Sequence, residues 1–409
     1  MNKQRCIIVG ASHAAGELCA SLRKEGWTGS ITVVGDEAYL PYNRPPLSKT
    51  FLAGEKSIDD LLIRHEQAYV KADIEMKLGC RVEKIDREQK EITLNNDEIL
   101  SYDKLILTTG ARPRTMDMPG ADAENVFYLR SIYDADRIRP YIKKGRRAVI
   151  IGGGYIGLET AAMLVSTGMQ VTLLEREPRI LNRVAAPEIS QFFTRIHTEE
   201  GVELITDVEI SQLKGDKQIN EVVCSDGRSF EADLVIIGIG VITNSELAEE
   251  VGLEINNGIV VNAFAETNDP DILAAGDCTY HFNKHYQRWL RLESIQNAVE
   301  QAKVAARTIC GTRQEYDQIP WFWSDQYDLK LQIAGLSTGY DNLIVRGDLS
   351  EGRKISFFYF KENTLLAVDA VNSPQEFMFG KRALAQSLRL DREKLVDSSI
   401  SMKAILLQA

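Results

Sequence analysis

One pattern constrains this chain more than any other, and it occurs twice. Residues 5–37 read RCIIVGASHAAGELCASLRKEGWTGSITVVGDE, and residues 147–177 read RAVIIGGGYIGLETAAMLVSTGMQVTLLERE. Each is a β-branched run, a glycine turn, an amphipathic stretch, a glycine stop and a second β-branched run ending in acid. That order predicts a βαβ unit. Two units about 140 residues apart predict two dinucleotide-binding domains, so the fold class expected is α/β.

The second copy carries the full fingerprint. Gly152, Gly154 and Gly157 occupy G-x-G-x-x-G. The first glycine permits the tight turn, the second lets a pyrophosphate approach the backbone, and the third lets helix and strand pack closely. Glu175 follows Gly152 by 23 residues, at the strand end where a carboxylate accepts hydrogen bonds from ribose hydroxyls. The first copy departs from the pattern: it reads Gly10-x-Ser12-x-x-Ala15, with Gly16 next. Serine and alanine are small enough to keep the turn, and Asp36, followed by Glu37, supplies the acid.

Further apolar runs end in ligand-type residues: YDKLILTTGARPR (102–114), ADLVIIGIGVITN (232–244) and DILAAGDCT (271–279). The first ends at Thr109 and Gly110, and the last places Gly276 and Asp277 just past its strand. Doubly wound sheets bind ligands at such carboxyl ends. After Pro320 the character changes. KLQIAGL, NLIVRG, KISFFYFK and TLLAVDAV read as short antiparallel strands, and SPQEFMFGKRALAQSL as a capped helix, predicting a separate α+β domain.

The 409 residues suggest two to four domains at roughly 150 residues each. A net charge of −11 argues against general nucleic-acid binding. MNKQRC runs straight into IIVG without signal-peptide architecture, and no apolar run reaches the roughly 18 residues of a membrane span. A soluble cytoplasmic protein is expected. Six scattered cysteines, Cys6, Cys19, Cys80, Cys224, Cys278 and Cys310, form no close pair, so neither a zinc ribbon nor an iron–sulfur cluster is expected.

With these residues in view, the chain resembles the two-dinucleotide-fold flavoprotein reductases, and among them the ferredoxin reductases that feed bacterial oxygenases, including aromatic-ring dioxygenases. The resemblance runs through VGASHAAG, PYNRPPLSK, TTGARPR, GGGYIGLE, AAGDC, RLESIQNA and PWFWSDQYD. It implies an FAD domain over 1–113 and 245–319, an NAD domain over 114–244 and a C-terminal domain over 320–409. It implies Asp36 on the FAD ribose, Asp277 at the ribityl-phosphate end, Arg44 on the pyrophosphate and Trp323 near the isoalloxazine. Arg130, Ile156, Arg183, Gly240, Glu293 and Ser294 complete the cofactor-binding candidates, with Glu293 implied near the flavin.

The stretch PYNRPPLSK carries the chemistry. Pro46 suits the first position of a short helix, PLSKTFL, which Gly54 can stop, and Pro45 holds Arg44 extended. Disulfide-reducing relatives carry a Cys-x-x-x-x-Cys pair on this helix; this chain has no cysteine between Cys19 and Cys80. The resemblance instead places Lys49 beside the flavin ring, paired with Glu159. A cation there stabilises the charge that builds when hydride arrives, and Glu159 would keep the lysine charged. The plain alternative is two solvated surface charges.

The expected activity is an NADH-dependent ferredoxin reductase: hydride passes from NADH to FAD, and electrons leave singly to a [2Fe–2S] ferredoxin of Rieske-type or all-cysteine ligation. NADH is favoured because Glu175 would repel a 2′-phosphate, although Arg176 beside it could accept one. Tyr155 matches a ring that covers the nicotinamide pocket in relatives, or is ordinary packing. Competing readings are an NADH oxidase or quinone-type reductase, and a flavin-bound redox sensor resembling the apoptosis-inducing factor. From Cys278 to Leu292 the chain runs without an acid while holding Lys284, Arg288, Trp289 and Arg291, which suggests a docking strip for an acidic partner. Lys381 and Arg382 are the next candidates. The expected assembly is a monomer or weak dimer.

Overall fold

The computed structural model describes residues 4–407, and the chain divides into two compact units. One comprises residues up to 44, 57–112 and 241–320; the other comprises 45–56, 113–240 and residues from 321 onward.

The first unit is built on a parallel five-stranded sheet in the order Ile272–Ala274, Lys104–Leu107, Arg5–Val9, Ser30–Gly35, Ile74–Leu78. Ile8 pairs with Val33 on one side and Ile106 on the other. These three face the helices His13–Lys24 and Ile295–Ile309, whose Leu18, Leu22, Ala302 and Ala305 complete one core. Their neighbours Ile7, Val9, Leu105 and Leu107 point the other way, onto Ile85, Ile92 and Leu94 of an antiparallel meander, Val82–Asp86, Glu91–Leu94 and Ile99–Ser101. Both faces are covered, so the strands read as unbroken apolar runs rather than as alternation. A smaller sheet, Ile259–Val261, Thr279–Asn283 and Arg288–Leu290, ends in a hairpin.

The second unit repeats the plan with Val202–Ile205, Gln170–Leu174, Arg147–Ile151, Leu234–Ile237 and Val126–Phe127, all parallel. Its glycine turn leads into helix Tyr155–Ser166. Its own meander, Ile210–Gly215, Ile219–Cys224 and Ser229–Glu231, covers one face. The same unit holds an antiparallel five-stranded sheet in the order Trp321–Gln326, Leu329–Gly335, Thr364–Val371, Ile355–Lys361, Asn342–Gly347. Helix Pro374–Ala385 lies on that sheet so closely that a Cβ at Gly380 would come within 2.6 Å of Val368. Buried Arg346 donates to the carbonyls of Leu395, Asp397, Ser398 and Ile400, which ties down the chain beyond that helix.

Two local expectations are corrected. The edge strand Trp321–Gln326 is additional to the four read from the sequence. Its inward positions are the polar Ser324 and Gln326 while the aromatic Trp323 is only half-buried, so the usual polar-out, apolar-in alternation is inverted. The helix expected to begin at Pro46 is a 3₁₀ turn, Pro45–Ser48, followed by further turns. Lys49 N donates to the Pro46 carbonyl at 3.0 Å, a three-residue closure, and Phe51 N donates to the same carbonyl at 2.9 Å across five residues, so the four-residue ladder of a regular α-helix is not formed on that carbonyl. Both prolines fall in the first turn, where no backbone donor is required. Gly54, at φ +80°, ends the segment.

Among the described residues no helix is long and apolar enough to cross a membrane, no group of three or more His, Cys, Asp or Glu could hold a metal ion, and all six cysteines are free thiols.

Candidate functional site

Both glycine turns are shaped for a diphosphate. Gly10 and Gly152 have φ of +105° and +111°. A Cβ on Gly10 would lie 2.3 Å from the Thr108 carbonyl oxygen, and one on Gly152 would lie 2.4 Å from that of Gly238. Space beside Gly154 is open, with nothing within 4 Å of a Cβ, while a Cβ on Gly157 would meet the Gly152 oxygen at 2.0 Å. This is the division of labour that the fingerprint requires: a turn, an open approach and a close helix–strand contact. The helices that follow begin at Ser12 and Gly154 with no side chain capping the first turn. Their backbone N–H groups are therefore available to an anion. Ala15, in place of the third glycine of the first copy, is fully buried. The residues present fit FAD in the first unit and a nicotinamide dinucleotide in the second.

Arg44 sits at the first cradle. Its Nε donates to Ser12 Oγ at 3.2 Å, Nη1 to Tyr42 Oη at 3.1 Å and Nη2 to Glu37 at 2.6 Å. Burial pulls its pKa down, but Tyr42, Glu37 and Asp277 outweigh that and hold it above its usual value. The structure thus brings together Ser12, Arg44 and Asp277 within one unit. It also separates the two acids of the first copy. Glu37 is engaged by Arg44, whereas Asp36 is exposed and borders a cavity of about 770 Å³ with Gly10, Arg81 and Thr109.

Two positioning residues here escaped the sequence reading. Asn244 donates to the Thr109 carbonyl at 2.8 Å, its own carbonyl accepts from the Thr109 hydroxyl, and its N–H donates to Gly110. It thereby fixes the Thr109–Gly110 turn. Gln301 accepts from Gly276 N at 2.8 Å and from Thr279 Oγ1 at 2.9 Å, which fixes the loop carrying Asp277. The sequence signal was faint: Asn244 ends GIGVITN as Arg114 ends TTGARPR, and Gln301 lies on the helix after RLESIQNA. Ser294 caps that helix by accepting from Asn297 N, and Glu293 pairs with Arg291 at 2.8 Å.

The second unit holds candidate residues of its own. Lys49 Nζ donates to Glu159 Oε2 at 2.6 Å, with the Glu159 side chain 5% exposed. The two are not solvated surface charges. Ser48 Oγ donates to the same oxygen and Ser324 Oγ to Oε1, each at 2.7 Å. The carboxylate is satisfied on both oxygens, the condition under which a partly buried ion pair is tolerated; losing one partner of such a pair costs about 3–5 kcal/mol. Trp323 stacks on Trp321, ring centres 5.6 Å apart. Tyr155 meets Phe322 edge-on, and its hydroxyl is buried without a hydrogen-bond partner.

At the nucleotide end, Glu175 accepts from Gly153 N at 2.5 Å and from Glu177 N at 2.8 Å, which holds it against the glycine turn. Arg176 is 74% exposed along its side chain and pairs with Glu177. Arg183 is exposed, with its guanidinium near Gly240. Ile156 projects outward from the first helical turn. Arg130 is half-buried and donates its backbone N–H to Asp134.

The acid-free window forms the hairpin of the first unit, but acids outside the window, one adjacent in sequence and one distant, pair with its cations. Lys284 pairs with Glu315 and Arg291 with Glu293. Arg288 lies over the Tyr286 ring. Trp289, 44% exposed, stacks on Tyr280 and meets Phe282, itself 39% exposed. The strip is more aromatic than basic.

The pyridine nucleotide-disulphide oxidoreductase domain matches residues 4–302 and the Reductase C-terminal domain residues 321–406. Putidaredoxin reductase of Pseudomonas putida is 42% identical over 98% of this chain and 97% of its own length. The ferredoxin–NAD(+) reductase component of the anthranilate 1,2-dioxygenase system of Burkholderia cepacia is 35% identical over 99% and 100%. The reductase in a crystal structure of the covalent putidaredoxin reductase–putidaredoxin complex superposes with a TM-score of 0.95 at 41% identity, covering 99% of this chain and 98% of that one. Glycine cradles, matched domains and full-length relatives agree: the chain belongs to the pyridine nucleotide-disulphide oxidoreductase family and, within it, to the ferredoxin reductases.

Proposed function

We propose that this protein is an FAD-dependent ferredoxin reductase that draws on NADH and supplies electrons to an oxygenase system. Bound FAD would supply the chemistry that links two-electron hydride acceptance from NADH to one-electron delivery to a small iron–sulfur protein. The chain's own residues do the rest. Ser12, Arg44 and the first turn of helix His13–Lys24 hold the FAD diphosphate, and Asp36 and Asp277 orient its two ends. Gly152, Gly154 and Gly157 hold the dinucleotide, with Glu175 on its ribose. Trp323 and Glu293 border the ring, and Tyr155 covers the nicotinamide pocket. Lys49, ion-paired with Glu159, faces the developing negative charge. The hairpin with Arg288 and Trp289 is the docking surface. The reaction takes place in the cytoplasm.

The observation that carries this reading is the Lys49–Glu159 pair, 2.6 Å apart, in the segment where disulfide-reducing relatives hold their cysteine pair. Without a dithiol, the electrons must leave the flavin directly. The test is stopped-flow reduction of the purified yellow protein by NADH. Lys49→Met slows flavin reduction roughly tenfold or more while FAD stays bound. Wild type reduces a ferredoxin fast and oxygen slowly. A protein that takes up no flavin, or one that turns over as fast on oxygen as on a ferredoxin, overturns the proposal.

A further inference from the structure

Glu159 is the end of a chain of buried hydrogen bonds. Ser324 Oγ is 2.7 Å from Glu159 Oε1, and Gln326 Nε2 is 3.1 Å from Ser324 Oγ. His197 Nε2 is 2.8 Å from Gln326 Oε1, and Tyr327 Oη is 2.9 Å from His197 Nδ1. Ser324 and Gln326 are each 1% exposed and His197 is fully buried. The links join helix Tyr155–Ser166, strand Trp321–Gln326 and helix Pro187–Glu199 within one compact unit.

The direction of every proton in this chain follows from its first member. A carboxylate only accepts, so the Ser324 hydroxyl donates to it. The serine oxygen then accepts from the Gln326 amide, whose remaining oxygen must accept from His197 Nε2–H. A neutral imidazole with its proton on Nε2 accepts at Nδ1, which takes the Tyr327 hydroxyl. Burial pushes His197 down to about 4, so the imidazole is neutral at physiological pH, as the chain requires.

We propose that Ser324 is a positioning residue for the Lys49–Glu159 pair, oriented by Gln326 and His197, so that the C-terminal sheet aims the cation that serves flavin reduction. This rests on the reading of Lys49 given above. Lys49 and Ser48 occupy Glu159 Oε2; among the described residues Ser324 alone holds Oε1 and so fixes the carboxylate's rotation about its last bond. The same strand presents Trp323 on its opposite face. Ring and ion pair are therefore set by one short stretch, WFWSDQ.

The experiment is single-turnover flavin reduction by NADH in the FAD-loaded protein. Ser324→Ala lowers the limiting rate roughly tenfold, the weight of one hydrogen bond to a charged group. NADH dissociation constant and FAD content stay at wild-type values. Ser324→Thr, which keeps the hydroxyl, recovers most of the rate. Gln326→Leu slows the reaction similarly, and the double variant is no slower than Ser324→Ala, because both act through one bond. Should Ser324→Ala not accumulate with FAD bound, Gln326→Leu against Gln326→Asn, which keeps an amide donor and acceptor, carries the same comparison. If Ser324→Ala and Gln326→Leu melt earlier but reduce at the wild-type rate, the polar chain merely fills the core and the proposal fails. Lys49→Met run alongside separates the two ideas. A slow Lys49→Met with a fast Ser324→Ala overturns the positioning role alone, and a fast Lys49→Met removes the reading beneath it.

Discussion

At Glu175 a structural role and the proposed nucleotide selectivity meet in one side chain. Its two oxygens are taken by Gly153 N and Glu177 N, so the carboxylate is fixed at the strand end before any ligand arrives. A fixed carboxylate holds ribose hydroxyls well and repels a 2′-phosphate. Arg176 is largely in solvent and engaged with Glu177, which leaves it a poor phosphate reader. Glu175→Gln is therefore expected to lower kcat/KM for NADH roughly tenfold, through lost charged hydrogen bonds, and to leave NADPH unchanged or improved. Steady-state kinetics with both nucleotides decide it. A wild type that prefers NADPH would assign the selection to Arg176. The acid was legible in the sequence because the fingerprint fixes its distance from the first glycine. The bond to Gly153 was not, since nothing in the pattern marks that glycine, whose Cβ would lie 3.0 Å from the Glu175 carboxylate.

At the scale of elements, what the sequence reveals depends on how local the requirement is. Strand–turn–helix units were readable because glycine at φ near +105° is a demand that one position makes by itself. Ser48, Ser324, Gln326 and His197 were not readable, because their bonds span 111, 165 and 129 residues. The hairpin makes the same point for charge at Lys284, whose partner Glu315 lies 31 residues away, but not at Arg291, whose partner Glu293 is two residues on. Its window has no acid, yet Glu315 and Glu293 neutralise Lys284 and Arg291. Arg288 and the Trp289–Phe282 cluster are what the hairpin can offer an acidic partner. Arg288→Glu is expected to raise KM for the ferredoxin severalfold and weaken its salt dependence. Arg291→Glu adds less, its charge being already countered. Ferricyanide reduction stays near wild type, because a small acceptor needs no docking surface. Ferredoxin kinetics unchanged in the double variant would move docking to Lys381 and Arg382, the former already resting over the Trp321 ring.

For the molecule as a whole, buried ionisable groups set how stability responds to pH, and two kinds oppose each other. His197 and His281 are pushed by burial from 6.5 to about 4. The unfolded chain binds their protons first, so stability falls as pH drops from about 6.5 toward 4. Asp369 runs the other way. It is 3% exposed on strand Thr364–Val371, and burial raises it from 3.8 to about 7, against the pull of the Tyr359 hydroxyl 2.6 Å away. Below pH 3.8 the group is protonated in both states and costs nothing. Between 3.8 and 7 the unfolded chain ionises it while the fold does not, so stability is lost as pH rises and stays lost above 7. By linkage that loss is on the order of 4 kcal/mol. Comparing Asp369→Asn with wild type isolates this group, because the histidines are common to both. The asparagine keeps an acceptor for Tyr359 and never ionises. The variant should melt several degrees higher than wild type at pH 8, and the difference should shrink toward zero at pH 4. A variant less stable than wild type at pH 8 would mean that the fold uses the Asp369 charge, through the hydrogen bond it accepts from Tyr359.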